Sequence, residues 1–186
     1  MISVDNNSKF GFYKPNTLVS IIILITRSIG STWLSKRIIF LLRRIAVIFS
    51  KKCIDTTLFN YNLRMYTKGN VSEKRALFSP QIFEEEERNF IAERAEDNSI
   101  FIDIGANIGL YSFSIANAYK KYNNTKIYSI EPHPGLFKRL SFNVSLNKDI
   151  PIYPREIALM DKSGQFNLST PEENLGQGVI SKKGKN

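Results

Sequence analysis

The residues with the clearest chemical potential lie in Phe101-Ile102-Asp103-Ile104-Gly105-Ala106-Asn107-Ile108-Gly109, an apolar run that ends in a glycine-punctuated turn. Gly105 permits a sharp reversal and leaves bare backbone for a ligand to lie against. Gly109 does the same where a helix begins, and the free N–H groups there, at the positive end of the helix dipole, receive electron-rich atoms. Asp103, at the carboxyl end of its strand, projects a carboxylate into the crevice where open α/β sheets bind ligands, placed to hold an ammonium. A second apolar run ends in Ile130-Glu131-Pro132. Glu131 therefore emerges at the same edge of the sheet, where it can accept hydrogen bonds from two adjacent ribose hydroxyls. Together these elements predict a nucleoside-cofactor site. Asn107 stands where the dinucleotide fingerprint has a glycine for close approach of a pyrophosphate, which argues against NAD. A cofactor with an amino-acid end and no pyrophosphate fits better, because Asp103 repels phosphate and attracts an ammonium.

These residues need a scaffold, and the flanking pattern supplies one. Strands are expected at Ile100–Ile104, at Ile127–Ile130, and at Ile152 with Ile157–Leu159, separated by helices near Leu110–Tyr122 and Pro134–Asn147. Alternating strands and helices are the signature of a parallel sheet with right-handed crossovers. Upstream, Ser79-Pro80 is expected to open a helix whose early turns carry Glu84 to Glu87. Residues 61 to 80 alternate weakly between apolar and polar, with Gly69-Asn70 as a turn signal, and read as short strands or an irregular segment.

The formal charge of +9 is unevenly spread. Residues 1 to 60 hold nine Lys/Arg against two Asp/Glu, and residues 61 to 186 hold seventeen against fifteen. Residues 1 to 16 read as a loosely ordered leader. The apolar run Leu18–Thr26 is nine residues long, short of the roughly 20 that a helix needs to cross a bilayer core. From Trp33 to Phe49 apolar residues recur at spacings of three and four, with basic pairs Lys36-Arg37, Arg43-Arg44 and Lys51-Lys52 on the other side. Such a helix suits peripheral contact with an anionic membrane through residues 17–52, and equally a helix packed on the domain with its charges in water. The expected division is a basic leader and amphipathic helix over 1–60 and a Rossmann-like domain over 61–186. One cysteine, Cys53, excludes an internal disulfide and thiolate-rich zinc sites, and reads as a buried structural thiol. No metal is expected, and the expected location is the cytoplasm, at most peripheral at the inner membrane face.

The segments FIDIGANIGLYSFSIA, YSIEPHPGLFKRLSFNVSLN and EIALMDKSGQFNLS, over about residues 80 to 180, resemble the FkbM-type methyltransferases. The resemblance implies a Rossmann-like methyltransferase fold, S-adenosylmethionine as cofactor, and methylation of a hydroxyl on a small molecule, sugar or glycan. It implies Asp103, Gly105, Asn107 and Gly109 around the methionine part, Glu131 on the ribose, and Asp161 near the adenine end. The family's pattern continues with a strand carrying a Lys-Ile-Asp, Glu-Gly type motif that this chain does not contain, so the later half of the sheet is expected to be missing. An exposed strand edge would then invite self-association.

His133 is the one histidine and the candidate general base, outweighed by a role in shaping the turn after Glu131. Tyr111 and Phe113 read as core rather than as ligand contacts, and Gly176-Gln177-Gly178 as a turn or a loop over the cofactor. The rival functions are a nicotinamide-dependent oxidoreductase and a non-catalytic membrane-attached remnant. Nucleic acid is not expected as a partner, because the basic surplus sits outside the expected catalytic domain.

Overall fold

The computed structural model describes residues 4–162, 166–169 and 179–182. In chain order these form α1 (Thr17–Ser28), α2 (Trp33–Phe49), β1 (Cys53–Leu58), β2 (Tyr61–Tyr66), α3 (Val71–Phe78), α4 (Glu85–Ala92), β3 (Ile100–Ile104), α5 (Leu110–Tyr119), β4 (Lys126–Ile130), α6 (Pro134–Ser145), β5 (Ile152–Arg155), β6 (Phe166–Ser169) and β7 (Val179–Lys182). The central sheet is parallel, in the order β3-β4-β5. α5 and α6 are its crossovers, which makes this the α/β, Rossmann-like architecture read from the alternation of strands and helices.

Three local expectations are corrected. β5 runs over Ile152–Arg155, and Ile157, Leu159 and Met160 are exposed beyond it. The reason is its partner: β4 stops at Ile130 before Pro132, and the last ladder contact is Glu131 N–H donating to the Arg155 carbonyl at 3.0 Å. α4 begins at Glu85 rather than at Ser79-Pro80, because the buried Arg88 guanidinium draws the carbonyls of Pro80 (2.8 Å) and Phe83 (2.7 Å) onto itself and shapes the loop before the helix. Glu84 takes a left-handed φ of 46° at that corner.

The third correction concerns the leader. Arg64 on β2 is 1% exposed, and its donors must find acceptors inside the protein. Asp55 on β1 takes two of them, at 2.7 and 3.0 Å, and the carbonyls of Asp5 and Lys9 take others at 3.1 Å each. The guanidinium lies between the rings of Tyr13 and Phe142, 4.8 and 4.7 Å from their centroids. Asp55 in turn accepts from the N–H groups of Gly11 and Tyr13. Residues 5 to 13 are thus tied to the hairpin by one buried cation. The Asp5 carboxyl, accepting from the Tyr13 hydroxyl and from Ser8 and Asn7, is held well below the ordinary carboxylate range.

β1 and β2 form a hairpin whose two turn residues, Phe59 and Asn60, both have positive φ, 52° and 64°, as a two-residue turn matched to strand twist requires. α1 buries Val19, Ile22 and Ile23 in the same hydrophobic cluster as Ile54, Leu63, Phe113 and Ile127. α2, as long as its periodicity predicts, buries only Ile39 and Ala46 and leaves Trp33 and Ile48 largely exposed. Arg37 stacks over Trp33, and Arg43 and Arg44 over Phe40. Cys53 is buried, which pushes its thiol up to about 11. No helix of the described residues is long and apolar enough to cross a membrane.

Arg64→Leu leaves Asp55 buried without its partner and should lower stability by about 3–5 kcal/mol, read as a reduced urea midpoint. A loss under about 1 kcal/mol would show that the network around Arg64 is dispensable.

Candidate functional site

The register of the parallel sheet brings the two carboxylates together. Asp103 lies opposite Ser129 and Ile104 opposite Ile130, so Asp103 and Glu131 belong to the carboxyl ends of neighbouring strands. The chain then turns back at Gly105, and the N–H groups of Gly105 and Ala106 both donate to the Ile130 carbonyl, at 2.9 and 3.0 Å. Asn107 follows in a left-handed conformation, φ 55°, and its N–H donates to Glu131 Oε2 at 2.7 Å. Glu131 Oε1 accepts from the His133 N–H at 2.8 Å. Each glutamate oxygen is therefore oriented by one backbone N–H, one from the turn after β3 and one from the turn after β4. Burial raises the Glu131 carboxyl above its ordinary value, those two N–H groups pull it back down, and the nearby Asp103 charge adds to the rise.

Asp103 is 9% exposed. Its Oδ2 accepts from both the N–H (3.1 Å) and the hydroxyl (2.6 Å) of Ser112, in the first turn of α5, where the helix dipole favours negative charge. The Ser112 hydroxyl also meets Ser129 Oγ at 2.6 Å. Burial pushes the Asp103 carboxyl up, and the two Ser112 donations partly reverse the shift. Sequence reasoning missed Ser112 and Ser129; the available signal was a serine flanked by aromatic and aliphatic residues in each of two elements, where a buried hydroxyl must find a partner.

The two glycines do different things. At Gly105, φ +75°, a Cβ would meet nothing within 4 Å, so this backbone faces open space beside the carboxylates. At Gly109, φ +91°, a Cβ would lie 2.7 Å from Leu140 Cδ1 and 3.1 Å from the Phe113 ring. The bare Cα of Gly109 lets α5 and α6 approach closely. His133 caps α6: its Nδ1 accepts from the N–H groups of Gly135 (3.0 Å) and Leu136 (3.2 Å). Tyr111 is packed against Phe83, and Phe113 is fully buried against Tyr61. Asp161 lies on an exposed bend beyond β5, and among the described residues no hydrogen bond joins it to the Asp103–Glu131 cluster. Gly176-Gln177-Gly178 falls outside the described residues.

A bare glycine turn and two nearly buried carboxylates lie at adjacent parallel strand ends of a Rossmann-like methyltransferase fold, a class whose methyl donor here is S-adenosylmethionine. More narrowly, the TRM5/TYW2 methyltransferase domain matches residues 66–158, which include both carboxylates, and the chain belongs to that family. Among solved structures, Trm5b from Pyrococcus abyssi is 19% identical over 55% of this chain and 27% of its own, with a TM-score of 0.41. A transferase from Pyrococcus horikoshii is 22% identical over 58% of this chain and 37% of its own, with a TM-score of 0.42. The chain thus spans 27% and 37% of the lengths of these two proteins. No curated protein sequence matches it.

The family corrects two expectations. The methyltransferase family that matches is not the FkbM type that the motifs resemble. Trm5-like relatives methylate tRNA, which overturns the expectation of a small-molecule or glycan acceptor with no nucleic acid. The nicotinamide alternative falls with the family's methyl donor.

Gly109→Ala forces a Cβ into Leu140 at a left-handed φ and should cost about 2–4 kcal/mol, whereas Gly105→Ala, strained in φ but unobstructed, should cost about 1–2 kcal/mol. Urea denaturation of the two variants checks the order, and equal losses would remove the distinction between the crowded and the open glycine.

Proposed function

We propose that this chain is the cofactor-binding part of an S-adenosylmethionine-dependent methyltransferase that acts on a base of tRNA. The observation that carries the reading is the pair of nearly buried carboxylates at neighbouring strand ends, each already oriented by N–H or O–H donors. Glu131 would accept from the ribose hydroxyls, Asp103 would hold the methionine ammonium, and Gly105, Asn107 and Gly109 would form the turn beneath, with Asp161 toward the adenine. The cofactor supplies a methyl on a sulfonium, a good leaving group. What the protein adds is alignment and exclusion of water, which can account for much of the rate of an in-line transfer.

Support for a nucleic-acid acceptor comes from the family and from charge. All nine cations of residues 1–60 fall within residues 6–54, which contain no carboxylate. A tRNA is larger than this domain, so its phosphates can be met by cations outside the sheet. That is why the position of the surplus, read as evidence against nucleic acid, does not count against it. The arginines stacked on Trp33 and Phe40 pair charge with aromatic surface, a combination suited to RNA. The division into an appendage over 1–60 and a domain over 61–186 belongs to the same proposal.

Titration with S-adenosylhomocysteine tests the site. Glu131→Ala should weaken binding on the order of a hundredfold, from two lost charge-assisted hydrogen bonds, and Asp103→Asn by about tenfold or more. Equal heats for the natural chain and both variants would end the assignment. Transfer of labelled methyl to tRNA, and not to free sugars or glycans, tests the acceptor.

The pH dependence has a definite sign. Both carboxyls hold their protons more tightly in the folded chain than in the unfolded one. Their contribution to stability is therefore greatest below the ordinary carboxylate range and is lost as pH rises through the raised folded values. An ammonium needs the ionised Asp103, so S-adenosylhomocysteine affinity should fall as pH is lowered through those values. In Ser112→Ala, which removes a donor to the carboxylate, the fall should begin at higher pH. An unmoved profile would separate Asp103 from the amine.

A further inference from the structure

We propose that Asn70 is a positioning residue of the cofactor site, locking the turn after β3 to the first turn of α3. The inference rests on the reading of Asp103, Asn107 and Glu131 as that site. Asn70 is fully buried, with extended backbone, and is the N-cap of α3. Its Oδ1 accepts from the Glu73 N–H at 3.3 Å, while its Nδ2 donates to Asn107 Oδ1 at 2.7 Å. Both arms of one amide are used, one to cap a helix and one to reach the cofactor turn. Serine or threonine can cap but has no second arm, and aspartate can cap but has nothing to donate.

Asn107 needs this support. It is a non-glycine residue at φ 55°, and in that conformation its N–H donates to Glu131 Oε2. Asn70 grips the carbonyl end of its side chain, which leaves the two donors of Asn107 Nδ2 unspent on that bond, on the residue whose backbone N–H holds Glu131. Donors there suit the hydroxyls of a ribose or the carboxylate of an amino acid.

The same turn of α3 also holds the far side of the site. Glu73, fully buried, accepts from the Tyr66 N–H at 2.6 Å and pairs with Arg139 of α6, the helix that follows Glu131 and His133. Asn70 and Glu73 therefore fasten both loops that orient Glu131, one through Asn107 and the other through α6.

The test is titration of the full 186-residue chain with S-adenosylhomocysteine, paired with urea denaturation, for Asn70→Ser, Asn107→Gly, their double variant and Glu131→Ala. Asn70→Ser keeps a capping oxygen and removes the arm to Asn107, and should weaken binding about fivefold with little change in urea midpoint. Glycine tolerates the left-handed φ, so Asn107→Gly isolates the side chain, and the double variant should bind no more weakly than Asn107→Gly alone. Asn70→Asp gives a second reading if the serine variant does not fold. Aspartate offers only acceptors, so Asn107 either loses its partner or turns its Nδ2 away from the site, and affinity should fall likewise. Natural affinity in the Asn70 variants, or additive losses in the double variant, would overturn the positioning role while Glu131→Ala still lost binding. Natural affinity in Glu131→Ala would instead remove the site on which the inference stands.

Discussion

The constraint on which the rest depends is the parallel pairing of β3 with β4 in one register. A shift by one residue would turn Asp103 to the other face of the sheet and separate it from Ser112, because successive side chains on a strand point opposite ways. In the observed register the Ile130 carbonyl receives two N–H groups from the turn after β3, so the turn is tied to the strand that delivers Glu131. Site and sheet are one hydrogen-bonded object. The two carboxylates need no flexible loop to carry them, which on the proposed reading keeps the ordering entropy of cofactor binding low.

A second layer holds that object from behind. α3 and the β1–β2 hairpin precede the sheet in the chain, yet they bond to the turn after β3 and to the crossover helix α6: Asn70 to Asn107, Glu73 to Arg139, and the Arg64 N–H to Asn143. Buried polar groups of this kind stabilise only when satisfied together, and they penalise alternative packings in which one partner is missing. The amino-terminal residues join the same scheme through Arg64. One buried cation explains why residues 5 to 13 are ordered, and why Asp55 is tolerated inside a hairpin.

The face of β3 that carries Ile100, Ile102 and Ile104 is exposed, while Asp103 on its other face is buried against α5. Among the described residues β3 pairs only with β4. On the proposed reading the Asp103–Glu131 cluster is the side of the fold that grips the cofactor, and both carboxylates have their donors in place. The proposed acceptor rests on the family and on the charge of the amino-terminal segment, not on this geometry.

Much of this was legible in the residues themselves. The strand–turn–helix grammar around Asp103, Gly105 and Gly109, the second strand ending in Glu131, and the length of α2 follow from local periodicity and from the few conformations glycine and proline impose. The expected class of cofactor followed from the same residues, because an acid at a strand end and a missing glycine at position 107 are chemical statements. The particular family was not legible: these residues speak to the cofactor and not to the acceptor, and the family that matches is TRM5/TYW2 rather than FkbM. Nor were the partners of Ser112, Asn70, Glu73 and Arg64. These residues lie 9, 37, 66 and 9 positions from Asp103, Asn107, Arg139 and Asp55, and nothing local marks which of many polar side chains will be buried together. Periodicity and turn chemistry act within a few residues, so the sequence by itself determined the elements and the acids they carry. Which buried donors meet those acids, and so how they are held, is a property of packing, and only the tertiary structure decided it.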